Sequence, residues 1–403
     1  MVRQALLLAT LVVVETNMAA EPAKSVDVRL HQLQVIGTHN SYHIAPSKPV
    51  MAAIAAMDDG LAKSLDYTHR PLSEQFSRLG IRQIELDVFA DPQGGLYAEP
   101  AARRMTKQTN DAWDPNGVMK QPGMKVLHVQ DIDFRSTVPT LVDALQEIRA
   151  WSTAHPQSCP IMVMIELKQS SIGPEFTQPL PFDREQLDAL DEEIQSVFAG
   201  EEIILPDDVR GRRETLREAV LNDGWPKLDD VRGKVMFAMD NGGDLAAAYL
   251  ADHPSLRGRV LFVSVPESEP AAAFMKRNNP VADFEAIQRL VKQGFLVRTR
   301  ADAGTRQSRQ NDGSQRERAF ASGAHFISTD YPEPDQRFSD YRVRFPHGVV
   351  ARKNPVSGLS PDDREFDLAD DGRIQLIAHR GGVVDQDRIE NNLPAIEEAI
   401  LRG

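Results

Sequence analysis

Glu85 and Asp87 stand two residues apart in the apolar run Arg82–Val88. In an extended segment such positions face the same way, so both carboxylates leave one face while Ile84, Leu86 and Val88 leave the other. Two carboxylates held side by side repel each other unless a cation or a proton relieves them. Glu166 stands similarly in Ile161–Leu167, and Asn40 follows the run Leu33–Gly37. Three carboxylates and an amide oxygen make an all-oxygen donor set, which suits Ca2+ first and Mg2+ second. For Glu85 and Asp87 alone, ion pairing with Lys168, Arg298 and Arg300 explains the residues equally well. The matching positions of Glu166 and Asn40 favour a metal.

His39 follows the first run and His128 ends the run Lys125–His128. Imidazoles titrate near working pH, and two of them beside a metal suit general base and general acid chemistry. Each such group contributes about 10²–10⁴-fold to rate. Any single histidine at a strand end is more simply a packed or hydrogen-bonded residue, and His31, His155, His253 and His347 carry no functional expectation. Arg298 and Arg300 share a face by the same period of two, and guanidinium forks match phosphate oxygens. With Lys168 they form the expected substrate-binding set. Asp240, Asp302 and Asp330 are weaker candidates.

These residues close eight short apolar runs: Leu33–Gly37, Arg82–Val88, Lys125–His128, Ile161–Leu167, Lys234–Met239, Val260–Val265, Phe295–Val297 and His325–Ser328. Amphipathic stretches lie between them, at Pro71–Leu79, Val138–Ala154, Asp183–Phe198, Arg213–Leu221, Asp244–Leu250, Val281–Lys292 and Gly313–Ala321. Strand–helix alternation with polar groups at the strand ends predicts an α/β fold, a (β/α)₈ TIM-type barrel with its site on the C-terminal face. Two long connections, Tyr42–Tyr67 and Ala90–Gly123, leave that face and are read as lids or substrate walls, with surface insertion without a role explaining them equally well.

A chain of 403 residues, 41% hydrophobic, is ample for such a barrel and some extra material. Its formal charge of −13 and the lack of a long basic block argue against nucleic acid as a partner. Cys159 is the single cysteine, which excludes an internal disulfide and a cysteine-rich zinc site. Residues 1–25 read as a signal peptide: Arg3, the apolar stretch Ala5–Val14, then Ala19 and Ala20. The expectation is a secreted or periplasmic protein without a transmembrane segment. Oligomeric state is not legible.

In their order along the chain, His39-Asn40, Glu85-x-Asp87, His128 and Glu166 resemble the calcium-dependent phosphoinositide phospholipases C, above all the small secreted bacterial and fungal type. The resemblance runs over residues 26–356 and includes Ser328-Thr329-Asp330-Tyr331. It implies His39 as general base, His128 as general acid, and Asn40, Glu85, Asp87 and Glu166 as Ca2+ ligands. It further implies cleavage of phosphatidylinositol, a phospholipid substrate at a membrane surface, to diacylglycerol and cyclic inositol phosphate. Arg300 stands where the animal enzymes often have a tyrosine, so head-group recognition is the looser part of the match. Two alternatives remain open: a glycerophosphodiester or sphingolipid head-group phosphodiesterase on the same barrel, and a non-catalytic lipid- or Ca2+-binding protein.

After a linker at 357–373, the segment 374–403 starts a second pattern. Ile374–Ala378, His379-Arg380 and Glu390-Asn391 resemble the opening of a glycerophosphodiester phosphodiesterase barrel. Thirty residues cannot close a barrel, so this truncated segment is expected to be catalytically inert.

Overall fold

The computed structural model describes residues 28–107, 113–346, 349–357, 366–368 and 374–376. The signal-like segment and the His379-Arg380 and Glu390-Asn391 pattern lie outside them.

Eight parallel strands close on themselves. They are β1 (Leu33–Thr38), β2 (Gln83–Phe89), β4 (Ile161–Leu167), β5 (Val235–Met239), β6 (Leu261–Val263), β7 (Phe274–Lys276), β8 (Leu296–Arg300) and β9 (Phe326–Thr329). β1 pairs with β2 on one side and β9 on the other, and a parallel bridge between Ser264 and Phe274 joins β6 to β7. The expected (β/α)₈ barrel is therefore present. Its strands are buried on both faces, as strands wrapped by helices must be.

The sequence reading of the eight strands needs one exchange. Lys125–His128 is not a barrel strand: β3 covers only Lys125–Val126 and pairs antiparallel with Val88–Phe89 at the end of β2. The eighth barrel strand is β7, three residues between proline-containing loops. So short a strand shows no period of two. His128 still reaches the C-terminal face, because β3 is tied to the end of β2 that carries Asp87.

The helices follow their apolar spacing. Arg184–Val197 buries Leu187, Leu190 and Ile194 toward the barrel, and Asp183 caps it by accepting from the Gln186 amide. Leu141–Ala154 is capped by Thr140 in the same way and buries Leu141, Leu145 and Ile148. Each fully buried leucine contributes about 1.5–3 kcal/mol. The long connection after β1 is not bare loop. It carries helices Lys48–Met57 and Asp59–Ser64, whose Val50, Ile54 and Ala62 share a small satellite core with Ala102 and Phe134.

After β9 the chain returns as β10 (Ala351–Lys353), antiparallel to β1 at Leu33–Val35. β11 (Phe366–Leu368) pairs with β10, and β12 (Ile374–Leu376) pairs with β11, both antiparallel. The run read as the opening of a second pattern thus adds its first residues to the edge of the barrel sheet. No helix among the described residues is long and apolar enough to cross a membrane.

Candidate active site and metal centre

The inward face of each strand brings its polar end to one mouth. Asp87 is directly opposite Glu166 in the β2–β4 ladder. One oxygen each of Glu85, Asp87 and Glu166 lie within 4.8 Å of one another. Ser41 ties the end of β1 to this cluster: its amide donates to the Glu85 carbonyl (2.9 Å), and its hydroxyl accepts from the Glu85 amide (2.9 Å). Between β1 and Ser41 sits Asn40 at φ 45°, a left-handed conformation that asparagine tolerates better than most residues.

Two cations stand against the carboxylates. Arg298 Nη2 donates to Glu85 Oε2 at 2.5 Å, while its Nε donates to Ser328 and its Nη1 to Asn278. Lys168 Nζ lies 3.2 Å from Asp87 Oδ2 and 3.3 Å from Glu166 Oε1. This is the ion-paired arrangement, and the burial of polar atoms goes beyond it. Neither Asp87 oxygen accepts a hydrogen bond of good geometry, and the buried Asn40 amide neither accepts one at Oδ1 nor donates one at Nδ2. Such groups cost about 1–3 kcal/mol each when unsatisfied. Burial, the largest influence on both, pushes the Glu85 carboxyl up to about 7 and the Asp87 carboxyl well above its usual range. Arg298 and Lys168 offset only part of this. Three clustered carboxylates, with Asp87 only ion-paired to Lys168 and the buried Asn40 oxygen accepting no hydrogen bond of good geometry, fit a hard divalent cation.

The two expected imidazoles each have a carboxylate behind them. His39 Nδ1 donates to Asp330 Oδ1 at 2.8 Å, and Arg300 Nη1 donates to His39 Nε2 at 3.2 Å. A ring that accepts at Nε2 and donates at Nδ1 is neutral. Burial and then Arg300 hold its pKa down at about 3. Arg300 also donates to Asp330 Oδ2 (3.1 Å), and Asp302 accepts from the Asp330 amide (2.8 Å). His128 Nδ1 donates to Asp133 Oδ2 at 2.7 Å, which leaves Nε2 for other work.

The carboxylates, His39, Arg298, Arg300 and Lys168 are joined by direct contacts. His128 forms a second group with Asp133 and His43. Tyr42 and Tyr67 stand between the groups. Tyr42 feels the charges of Asp87, Glu166 and Asp133, and Tyr67 those of Asp330 and Asp133. Opposite them, Lys276 Nζ pairs with Asp240 Oδ2 at 2.5 Å.

Sequence reasoning ranked Asp330 too low and did not select Asp133, His43 or Asn278. Asp330 stands one residue beyond β9 and shares the parity of Ser328, so period two could have raised it. Asp133 lies in a turn, where Val129 and Asp133 exchange backbone hydrogen bonds, and it carries no local signal.

The family model for the Ca2+-dependent phosphoinositide phospholipases C matches residues 28–355. No curated protein matches the chain. Among solved structures, the chain is similar to a calcium-dependent phosphoinositol-specific phospholipase C from a Pseudomonas species. The identity is 14%, with 81% of this chain and 96% of that one covered, at a TM-score of 0.48. It is similar also to a Ca2+-dependent phosphatidylinositol-specific phospholipase C from Streptomyces antibioticus (16% identity, 76% and 95% covered, TM-score 0.46). A phosphatidylinositol-specific phospholipase C from Staphylococcus aureus follows at 9% identity, 80% and 90% covered, with a TM-score of 0.37.

Proposed function

The chain belongs to the Ca2+-dependent phosphoinositide phospholipase C family, and from that membership we propose that His39 and His128 carry the proton transfers that split phosphatidylinositol into diacylglycerol and a cyclic inositol phosphate. The observation that supports this most is the pair of oriented imidazoles. Each keeps Nε2 for the reaction because its Nδ1 donates to a carboxylate, Asp330 for His39 and Asp133 for His128. A protein that only binds lipid or Ca2+ needs neither arrangement.

Asn40, Glu85, Asp87 and Glu166 would hold the Ca2+. When bound it would supply Lewis-acid stabilisation of charge on the phosphate, an effect of several kcal/mol. The neutral His39 ring accepts the proton of the inositol hydroxyl at Nε2, in the place where Arg300 donates in the free protein. That hydroxyl oxygen attacks phosphorus within the same molecule, so no second reactant has to be positioned. His128 gives its Nε2 proton to the diacylglycerol oxygen as the P–O bond breaks. Arg300, freed from His39, and Arg298 face the same mouth and bind the phosphate and head group with Lys168. Asp330 keeps His39 in the Nδ1–H tautomer whose Nε2 can accept, as a buried carboxylate does in other acid–base pairs, and Asp133 fixes the orientation of the His128 ring, which carries hydrogen on both nitrogens when it gives up its Nε2 proton.

The substrate resides at a membrane surface, and the apolar stretch Ala5–Val14 behind Arg3 supports export as a secreted or periplasmic protein. Residues 26–356 form the catalytic unit, and the segment from 374 onward takes no part in the reaction. The test is incubation of the purified protein with phosphatidylinositol, with and without a chelator, followed by identification of the phosphorus product. Cyclic inositol phosphate that forms only with Ca2+ is expected. Glycerophosphate or a noncyclic product formed from the outset would refute the assignment.

A further inference from the structure

The mechanism above gives no task to the ion pair of Lys276 and Asp240 at the mouth. We propose that this pair reads the inositol hydroxyls that lie away from the reacting phosphate, and that it excludes a ring carrying a further phosphate. This inference rests on phosphatidylinositol as the substrate.

The pair is built into the strand ends. Asp240 follows β5, and its amide donates to the Ile165 carbonyl at 2.7 Å. Beside it, Asn241 accepts from the Leu167 amide (2.7 Å) and donates to the Leu167 carbonyl (3.1 Å). Lys276 ends β7, and its amide donates to the Ser264 hydroxyl just beyond β6 (2.9 Å). The lysine side chain thus crosses the end of β6 to reach Asp240 Oδ2 at 2.5 Å. Both partners keep an open side, with 26% of the Lys276 side chain and 11% of that of Asp240 exposed. Among the described residues, Lys276 Nζ has only Asp240 Oδ2 as a partner. Asp240 Oδ1 and the remaining ammonium hydrogens are left for a ligand.

The pair also stands on the side where the ring lies. An in-line displacement sets the attacking and leaving oxygens on opposite sides of phosphorus. The leaving oxygen departs toward His128, beyond the short strand tied to the end of β2. The attacking hydroxyl belongs to the ring and faces His39, which Arg300 of β8 contacts. In the closed order of the strands, β7 stands across the barrel from β2. The ring therefore extends toward β7 and β8. There Asn278, two residues beyond Lys276, accepts from Arg298 at 2.5 Å, and Glu85 feels the charge of Asp240.

A carboxylate accepts from a hydroxyl and an ammonium donates to one, so neighbouring ring hydroxyls satisfy both partners without separating them. A phosphate dianion does not fit. It meets the carboxylate of Asp240 head on, and like charges at close range suppress binding. The other cations at the mouth are committed, Arg298 to Glu85, Arg300 to Asp330, and Lys168 to Asp87 and Glu166. Any that lets go serves the reacting phosphate. A second phosphate would have to draw Lys276 away and leave Asp240 unpaired.

Three lipids in the same detergent micelles test this. They are phosphatidylinositol, phosphatidylinositol 4-phosphate, and the phosphatidyl ester of cis-1,2-cyclohexanediol, whose ring keeps the attacking hydroxyl and lacks the others. In kcat/KM the unaltered protein should prefer phosphatidylinositol over each of the other two by roughly 100-fold or more. Lys276→Met should narrow the preference over the diol ester about 10- to 100-fold. Asp240→Asn removes the repelling charge and releases Lys276, so it should narrow the preference over the 4-phosphate about tenfold or more. A parallel loss on all three lipids, which a merely structural role would give, overturns the proposal. So does an unaltered protein that cleaves the 4-phosphate or the diol ester as fast as phosphatidylinositol, a comparison that decides even where a variant does not fold. Failure of the underlying reading looks different: the unaltered protein then releases no cyclic inositol phosphate from phosphatidylinositol, and this inference falls with it.

Discussion

Lowering the pH from 8 to 6 should weaken Ca2+ binding, and the buried carboxylates determine by how much. The metal takes carboxylates as anions, so any proton they hold must leave first. Glu85 is buried with its carboxyl raised to about 7, because burial outweighs the guanidinium of Arg298. Near pH 8 about nine-tenths of it is ionised, and near pH 6 about one-tenth. That difference alone reduces the apparent affinity about ninefold, or about 1.3 kcal/mol. Asp87 is also raised, by burial and by Glu166 and Glu85 beside it, and each further proton it releases steepens the slope by up to about tenfold per pH unit. Titration calorimetry at pH 6, 7 and 8, in pairs of buffers with different ionisation enthalpies, reads both affinity and proton count. At least 0.8 or so proton released per Ca2+ at pH 6 is expected. An affinity flat between pH 6 and 8, with a heat independent of buffer, would refute the reasoning, since Glu85 would then be anionic before the metal arrives.

The same shift acts on stability in the chelated protein. Between the ordinary carboxyl range and about 7, folded Glu85 holds a proton that the unfolded chain has lost. Its contribution is therefore full at low pH and is lost as pH rises through 7. The melting temperature of the chelated protein should fall over that window, and saturating Ca2+ should flatten the slope. Asp330→Asn removes the anion that keeps His39 Nδ1 protonated. Turnover of phosphatidylinositol should drop about 10²–10⁴-fold with Ca2+ affinity unchanged by calorimetry, and a drop below about threefold would deny Asp330 its orienting role. Gly37→Ala drives a Cβ into Gln83 Oε1 and places it 2.7 Å from Gln83 Cβ inside the barrel. Gln83 accepts from Ser328, which in turn accepts from Arg298, so the clash disturbs the support of Arg298 as well as the β1–β2 pairing. A loss of about 1–3 kcal/mol is expected from chemical denaturation, and a neutral result would mean that Gln83 has room to move.

Much of this site is written locally. Period two in Arg82–Val88 aims Glu85 and Asp87 to one side, and the ladder places Asp87 opposite Glu166. That parity argument survives folding because the pleat of a strand is a local property. It fails where strands are short. Phe274–Lys276 is a barrel strand with too few residues to display alternation, while Lys125–Val126 lies beside the barrel and pairs antiparallel. Lys276, at the end of the overlooked strand, pairs with Asp240 at the mouth and was missed for the same reason.

By itself the sequence determined the kinds of chemistry on hand and the edge of the barrel at which they gather. Residue type sets what an oxygen, an imidazole or a guanidinium can do, and strand parity sets which face it takes. Only the tertiary structure decided the partnerships. His39 meets Asp330 across 291 positions, and Arg298 meets Glu85 across 213. His43 and His128 share one oxygen of Asp133, a residue in a turn without pattern. Hydrogen bonds and pKa values depend on which distant segments meet and on how much water they exclude. Neither quantity exists in the chain until the cylinder has closed.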